Sequence, residues 1–438
     1  MARIGLIDRA PNLLPVAWRL EHHFGHDVRY YTVLDKWRLV GQGLVTRVDD
    51  LEDITEWKPD VVLGYEAPQE CKRVEAAKIP VICTSEEMQH LEDDRMYATQ
   101  VARQHGLAVP ETKEFTTIDK ARKWVETNGA RHRWVFKACG DKVDVASTHV
   151  CQDHDQLLEV LDFEESLHRA KRFILQERID GVEISTEGWF DYRTGWINPI
   201  NSTLERKHLF SGDTGQMTGC MGSVVWTWPQ ERPLIFRQTL EKLVNYLTAA
   251  KWVGPLDVNC ILDYKHHTPH FLEFTPRLGW NAFEALMAGS EDIGAFFVAL
   301  GKGQAKSFPV HAQFMAAVRL YAPCLEGLPV RIALDEDPRL FPGDLYKDDD
   351  DVIRLVGREI VPGMDEVGNA TATGNSIERI MSEIYEDVIP QVVVPDLGYR
   401  DDIGEKASRD LELLESWGYV VHEDPSRREA ARQFVSVG

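Results

Sequence analysis

The spacing of apolar and polar positions changes several times along this chain, and the changes divide it. ARIGLID (2–8) is a short apolar run, followed by LLPVAWRLEHHFG (13–25), whose apolar residues recur at helical spacing. VRYYTV (28–33), DVVLGY (60–65) and PVICTS (80–85) are further apolar runs with strand composition, separated by polar or helical connections. Strands alternating with helices predict a parallel sheet, so residues 1–95 are expected to form a Rossmann-like domain. GLAVPETKEF (106–115) is expected as a loop. IDKARKWVETNG (118–129) and HDQLLEVLDFEESLH (154–168) have helical spacing, and RWVFKACG (133–140) and RFILQERID (172–180) read as strands. Together they predict a small α+β unit over 112–180.

From about residue 181 the period becomes that of antiparallel strands: VEISTEGWFD (182–191), TGWINPINST (194–203), GPLDVNCILDY (254–264) and HFLEFTPRLG (270–279). Between them PLIFRQTLEKLVNYLTAA (233–250) predicts one helix, and ERKHLFSGDTGQMTGCMG (205–222) a polar, glycine-rich loop. Residues 96–111 and 181–308 are expected to form the core domain, and 309–438 a β-rich C-terminal domain. Within the latter, DLYKDDDDVIRL (344–355) reads as a solvated turn. The fold class is α/β and multidomain.

Four places along this pattern carry chemistry. In LDVNCILDYKHHTPHFLEFTPRLG (256–279) two strands are joined by a polar hairpin, with Asp257 on the first and Glu273 on the second. A hairpin of that length can bring both carboxylates to one face. Hard cations such as magnesium take oxygen ligands, commonly one or two carboxylates plus substrate phosphates. Arg277 could hold a developing phosphoryl or acyl-phosphate charge; two surface carboxylates and a surface arginine would look the same. Lys137 stands on an otherwise apolar strand, as a phosphate ligand or as a side chain snorkelling to the surface. Gln176 and Glu177 end one strand, Gly181 follows in a turn, and Glu183 opens the next strand. Such a hinge can present backbone to an adenine edge and a carboxylate to ribose hydroxyls. In the glycine-rich segment, Lys207 precedes Gly212, Gly215, Gly219 and Gly222, and glycines admit close approach of backbone N–H groups to an anion. Its spacing is not that of a Walker motif.

Charge and cysteine content narrow the classes. The 438 residues carry 71 acidic and 49 basic side chains, a formal charge of −22, which argues against an extended nucleic-acid surface. No run of eighteen apolar residues predicts a membrane span. The opening residues read as a strand and not as a signal peptide. Seven scattered cysteines without a CxxC pair suggest reduced thiols and a cytoplasmic location. The histidines at 22, 23 and 26 and at 266, 267 and 270 are read as structural.

In order along the chain, these pieces resemble the glycinamide ribonucleotide synthetase (phosphoribosylamine–glycine ligase) family of ATP-grasp enzymes. Gly64, Tyr65, Glu66, Ala67 and Pro68 are similar to its Gly-Pro-Glu-Ala-Pro. LEDDRMYATQVARQHGLAVP (91–110) is similar to its helix entering the core. SGDTGQMTGCMG (211–222) is similar to its Asp-Thr-Gly-Pro-Asn-Thr-Gly-Gly-Met-Gly loop, with Asp213, Thr214, Gly215, Thr218, Gly219 and Gly222 in corresponding places. ILQERIDGVEIS (174–185) resembles its hinge, and GNATATGNSIERIMSEIYEDV (368–388) with LGYRDDIG (397–404) its last domain. The resemblance implies N, B, A and C lobes with ATP clamped between A and the small lid B. It implies that Arg95 and Lys137 contact nucleotide phosphates, that Gln176, Glu177 and Ile179 line the adenine and that Glu183 binds the ribose. Glu273 would be the principal ligand of Mg2+ (or Mn2+), with Asp257 and Thr275 beside it. A small-molecule carboxylate, glycine or another amino acid, would be joined to an amine in purine biosynthesis by a monomer or weak homodimer.

The departures fall in four places. The family's glycine-rich N-terminal turn is here IDRAPNLL (7–14), and its Gly-Lys-Gly lid loop is ACGDKVDVAST (138–148). Its Glu-Phe-Asn is Glu273, Phe274 and Thr275, and its Arg-Phe-Gly-Asp-Pro-Glu is Arg277, Leu278, Gly279, Trp280, Asn281 and Ala282. Two further readings therefore stand beside the family's reaction. One is the same chemistry on a different amino acid or amine, in a specialised or virus-encoded modification pathway. The other is a nucleotide-binding pseudoenzyme acting as a scaffold.

Overall fold

Four apolar segments near the N-terminus pair as parallel strands: β1 (Arg3–Asp8), β2 (Asp27–Thr32), β3 (Val61–Tyr65) and β4 (Val81–Cys83), in the order β2-β1-β3-β4. Ile4, Leu6, Ile7, Val61 and Val62 are buried because a parallel sheet is covered on both faces, which is why these strands read as continuous apolar runs. The computed structural model describes residues 1–128, 133–139, 148–163, 172–228 and 232–419. The altered lid segment, at residues 140–147, lies outside them.

The second sheet is antiparallel, with β5 (Thr112–Phe115), β6 (Trp134–Cys139), β7 (Thr148–Val150) and β8 (Arg172–Glu177) in the order β5-β8-β6-β7. Helices Ile118–Asn128 and His154–Phe163 accompany it. Phe115, Trp134, Phe136, Leu157 and Phe173 form a core of its own. Since side chains alternate along a strand, Lys137 and Gln176 stand on the face opposite that core.

The remaining strands are β9 (Gly181–Asp191), β10 (Gly195–Phe210), β11 (Thr214–Thr227), β12 (Val253–Asp263), β13 (Pro269–Thr275), β14 (Phe314–Pro323), β15 (Leu340–Pro342), β16 (Leu345–Lys347), β17 (Ile353–Leu355), β18 (Glu359–Val361) and β19 (Met364–Gly374). All but the β16–β17 pair join one sheet, ordered β13-β12-β9-β10-β11-β14-β19-β15, with β18 on β19. The acidic run is the exposed turn between β16 and β17, closed by Asp348, which accepts from the backbone N–H of Asp350 and Val352.

Three expectations need correction. GLAVPETKEF (106–115), expected as a loop, ends in strand β5, whose Thr112–Phe115 pair with β8 and bury Phe115 in the small core. Residues 205–222 are chiefly strand: β10 and β11 form a hairpin that turns at 211–213, with register shifts near His208. The glycines suggested a loop, but two of them make room for packing. A Cβ on Gly222 would lie 2.6 Å from Ile403, and one on Gly219 would lie 1.6 Å from the Trp280 ring. The segment 233–250 is three short helical pieces, Leu234–Gln238, Leu240–Leu243 and Val244–Ala249. The break is at Thr239 (φ −124°, ψ −94°), and it lets Ile235, Phe236, Leu240, Leu243 and Leu247 all turn into the core. Among the described residues no helix is long and apolar enough to cross a membrane. All seven cysteines are free thiols.

Candidate active site

The centre of the large sheet has one apolar and one polar face, written on β9 and β12 as alternation; on β13 a bulge opposite Asn259 and Cys260 keeps both Phe271 and Phe274 in the core. Val182 and Ile184 on β9, Leu256, Val258, Cys260 and Leu262 on β12, and Phe271 on β13 are buried in the main core. The residues between them point the other way. Register places Asn259 opposite Glu273 and Ser185, and Asp257 opposite Thr275 and Glu187. Glu183 is two residues from Ser185 on β9, and Glu205 and Lys207 continue the same face on β10, beyond Thr203, which pairs with Ser185.

Lys207 gathers the carboxylates. Its Nζ lies 2.9 Å from Glu183 Oε1, 3.2 Å from Glu273 Oε1 and 3.6 Å from Glu205 Oε2. Burial alone would lower this ammonium, but Glu183, Glu273 and Glu205 together raise it well above the usual lysine value. Glu273 is held down to about 2, first by Lys207 and then by Arg95 and Lys137. Arg95 stands at the start of helix Arg95–Gln104, whose first turn is capped by Asp94, and its guanidinium is 3.6 Å from Glu273 Oε2.

The second sheet faces this surface. Lys137 Nζ donates to Gln176 Oε1 at 2.8 Å, and Gln176 Nε2 donates to Thr112 Oγ1 at 3.1 Å. Burial, then the repulsion of Arg95, pushes Lys137 down to about 8. Between the two surfaces is a cleft of about 900 Å³, within the range of small-molecule sites. Arg277 lies at its end, bonded to Glu92 Oε1 through Nε at 2.9 Å and through an η nitrogen at 2.7 Å, with Glu66 at 3.9 Å. Burial opposes the guanidinium charge, whereas Glu92 and Glu66 favour it, and the balance raises Arg277.

The cleft thus collects Arg95, Lys137, Gln176, Glu177, Ile179, Glu183, Lys207, Asp213, Thr218, Gly219, Asp257, Glu273, Thr275 and Arg277. It does not collect Gly64, Glu66, Thr214, Gly215 or Gly222. Gly64 gives room to Cys71 and Cys83, and Gly215 (φ +77°) sits against Phe210 just past the hairpin turn. Asp213, at the turn, is tied to Arg400 at 2.9 Å and Lys406 at 2.7 Å. The sequence reading missed Asn259, Glu205 and Glu92. The first two stand two residues from a chosen partner on the same strand, so alternation alone could have found them; Glu92 is a helix residue with no such mark.

A divalent cation suits the oxygens present. Among the described residues Asp257 Oδ1, Asn259 Oδ1 and Glu187 Oε1 are buried without hydrogen-bond partners. Burial, then Glu205 and Glu187, pushes Asp257 well above the ordinary carboxylate range. A positive ion beside these groups would relieve both conditions. Among the described residues no three or more His, Cys, Asp or Glu side chains form a complete cage.

Residues 93–281 match the family described as phosphoribosylglycinamide synthetase, ATP-grasp (A) domain. The chain is 25% identical over 374 residues to a phosphoribosylamine–glycine ligase of Vibrio parahaemolyticus, covering 79% of this chain and 82% of that one. It is also 25% identical over 249 residues to the trifunctional purine biosynthetic protein adenosine-3 of Drosophila melanogaster, where the match spans 52% of this chain but 18% of the relative. The crystal structure of a phosphoribosylamine–glycine ligase from Thermotoga maritima superposes with a TM-score of 0.69 at 20% identity, over 91% of this chain and 99% of that one. Fold and site together define an ATP-grasp protein. Within that class the chain is similar to the glycinamide ribonucleotide synthetases, through the match of residues 93–281 and the relatives above.

Proposed function

We propose that this chain is an ATP- and Mg2+-dependent ligase that joins a small carboxylate to an amine through an acyl phosphate. The observation that carries the reading is the pairing of two surfaces across one cleft. Lys137 and Gln176 project from the small sheet, and Glu183, Lys207, Asp257, Asn259 and Glu273 project from the large one. The relatives named phosphoribosylamine–glycine ligase point to glycine and phosphoribosylamine as the first substrates to test.

In this reading the small sheet is a lid over the nucleotide. Lys137 and Arg95 meet its phosphates, residues 176–179 its base, and Glu183 its ribose. Glu273, with Asp257, Asn259 and Thr275 near it, would hold magnesium, which supplies Lewis-acid charge to the phosphoryl oxygens when bound. A carboxylate oxygen of the first substrate attacks the γ-phosphorus, the bond to the β-phosphate bridging oxygen breaks, and ADP leaves. The amine nitrogen then attacks the acyl carbon, phosphate departs, and the nitrogen loses a proton. Lys207 and Arg277 are placed to neutralise charge that spreads during both steps. The two facing surfaces exclude water, which protects the acyl phosphate from hydrolysis.

The test is phosphate release from ATP and magnesium with a panel of amino acids and amines, phosphoribosylamine generated in situ among them, with products identified by mass spectrometry. Carboxylate-dependent release with an amide product is expected. ATP turnover independent of any carboxylate would overturn the reading.

A further inference from the structure

Behind the end of the cleft lies a second cavity of about 30 Å³, between the turn that follows β1, helix Ala282–Ala288, and strands β14 and β19. Gly279 and Trp280 line both spaces, so the indole is the wall between them. The volume suits a group the size of one or two water molecules, such as an ammonium and its first carbon.

The charges around this cavity do not balance. Glu284, Asp344 and Glu366 line it together with one cation, Arg319. Arg319 is engaged by Glu366 at 3.4 Å and lies over the Trp280 ring, and Asp344 is engaged by Arg358 at 2.7 Å. Glu284 is left over. It is 8% exposed, and among the described residues its Oε2 has no hydrogen-bond partner. A buried carboxylate with one oxygen unpartnered is unfavourable, and burial, offset only in part by the residue's own backbone N–H and by Arg319, pushes Glu284 up to about 8. The remaining walls include the rings of Tyr65, Trp280 and Phe283, whose faces attract cations. A phosphate here would meet three carboxyl groups against the single guanidinium of Arg319, which Glu366 already faces. An ammonium would bring the missing positive charge and three N–H donors.

We propose that this pocket binds a protonated amine through Glu284, against the indole of Trp280. The assignment of that amine to a substrate, as the α-ammonium of an amino acid or as the acceptor amine, rests on the ligase reading; the pocket itself does not. On binding, the ammonium stabilises the Glu284 carboxylate, which gives up its proton to solvent.

Calorimetry on the full chain tests this with ethylammonium chloride, glycine and ribose 5-phosphate, each in two buffers of different ionisation enthalpy at pH 7. Ethylammonium, glycine or both are expected to bind with proton release, and at least tenfold more weakly to the Glu284→Gln variant. Glu284→Asp, which keeps the charge, is expected to recover part of the affinity and guards against a folding defect in the first variant. Glycine alone would identify the amino acid as the source, and ethylammonium alone or with glycine a simple amine. Binding of both amines unchanged by Glu284→Gln, or binding of ribose 5-phosphate that the variant strengthens or leaves intact, would overturn the proposal. Titration of magnesium and ATP into the wild type is the separate arm: its failure beside intact amine binding removes the ligase reading and leaves the pocket.

Discussion

Lys207 Nζ lies 3.2 Å from Oε1 of Glu273, and Glu273 is thereby held ionised down to about pH 2. The carboxylate proposed to hold magnesium is therefore charged at every pH at which the protein would be studied. Replacing Glu273 by Gln keeps the shape and removes the charge. Turnover in the phosphate-release assay should fall at least about 100-fold, since a metal's stabilisation of phosphoryl charge is worth several kcal/mol. A Glu273→Gln variant with near wild-type turnover would show that the ion is held elsewhere.

Lys137 gives the proposed nucleotide site a titration within reach of experiment. Buried on β6 of the small sheet, it is pushed from the ordinary lysine value down to about 8, so in the absence of nucleotide it loses its charge as pH rises through 8. Affinity for ATP should weaken by up to about tenfold per pH unit above that point. Lys137→Arg, which stays charged, should bind ATP without this alkaline limb. Lys137→Met should bind weakly at all pH values. An alkaline limb that persists in Lys137→Met would assign it to another group. For stability the sign is opposite: the unfolded lysine holds its proton up to about 10.5, so folding gains stability as pH rises from 8 toward that value.

Much of this site was legible in the sequence, because it rests on alternation. Asp257 and Glu183 are polar residues between apolar neighbours, and a period of two sends them to one face before any coordinates are known; Lys137 stands out in the same way on the small sheet, whereas Glu273 joins the first two through a bulge on β13. The strands of the parallel sheet were legible for a related reason, their unbroken apolar character. What the pattern could not show depends on contacts between distant residues. Gly219 reads as a loop glycine, yet its lack of a side chain admits Trp280, 61 positions away in the chain. The acidic pocket is assembled from Glu284, Asp344 and Glu366, which lie on separate segments that only the fold brings together. Thr239 breaks a helix that spacing alone would continue, because the bend keeps five apolar side chains buried.

The contact between Gly219 and Trp280 makes a quantitative expectation. A Cβ at position 219 would lie 1.6 Å from the indole ring, far inside van der Waals contact. Gly219→Ala must displace the ring, breaking its hydrogen bond to the Tyr65 hydroxyl at 2.8 Å and its stacking with Arg277 and Arg319. Overpacking of this kind costs about 1–3 kcal/mol. In a Trp280→Ala background the obstacle is gone, and the same change should cost less than about 0.5 kcal/mol. A double-mutant cycle by chemical denaturation measures the coupling. Additive effects would mean that the indole has another resting place.

Glu284 should also leave a mark on stability that needs no ligand. Its carboxyl is pushed from 4.5 up to about 8 by burial, so the native state keeps a proton that the unfolded chain releases. Stability from this group is fully present below about pH 4.5 and declines as pH rises toward 8. Asp8, buried at the end of β1 and also raised to about 8, adds a second decline over the same window. Replacing Glu284 by Gln removes one of these contributions. The loss of unfolding free energy between pH 5 and pH 8 should then be shallower by up to about 1.4 kcal/mol per pH unit. Denaturant titrations at pH 5, 6, 7 and 8 on both proteins give the comparison directly. Parallel curves would mean that Glu284 is ionised in the native protein, with a counter-charge already beside it. A shallower curve for the variant, together with a wild-type curve that 50 mM ethylammonium flattens toward pH 8 and leaves nearly unchanged at pH 5, would tie the proton to the amine: the ligand binds the ionised carboxylate, so its stabilisation must grow as the proton leaves.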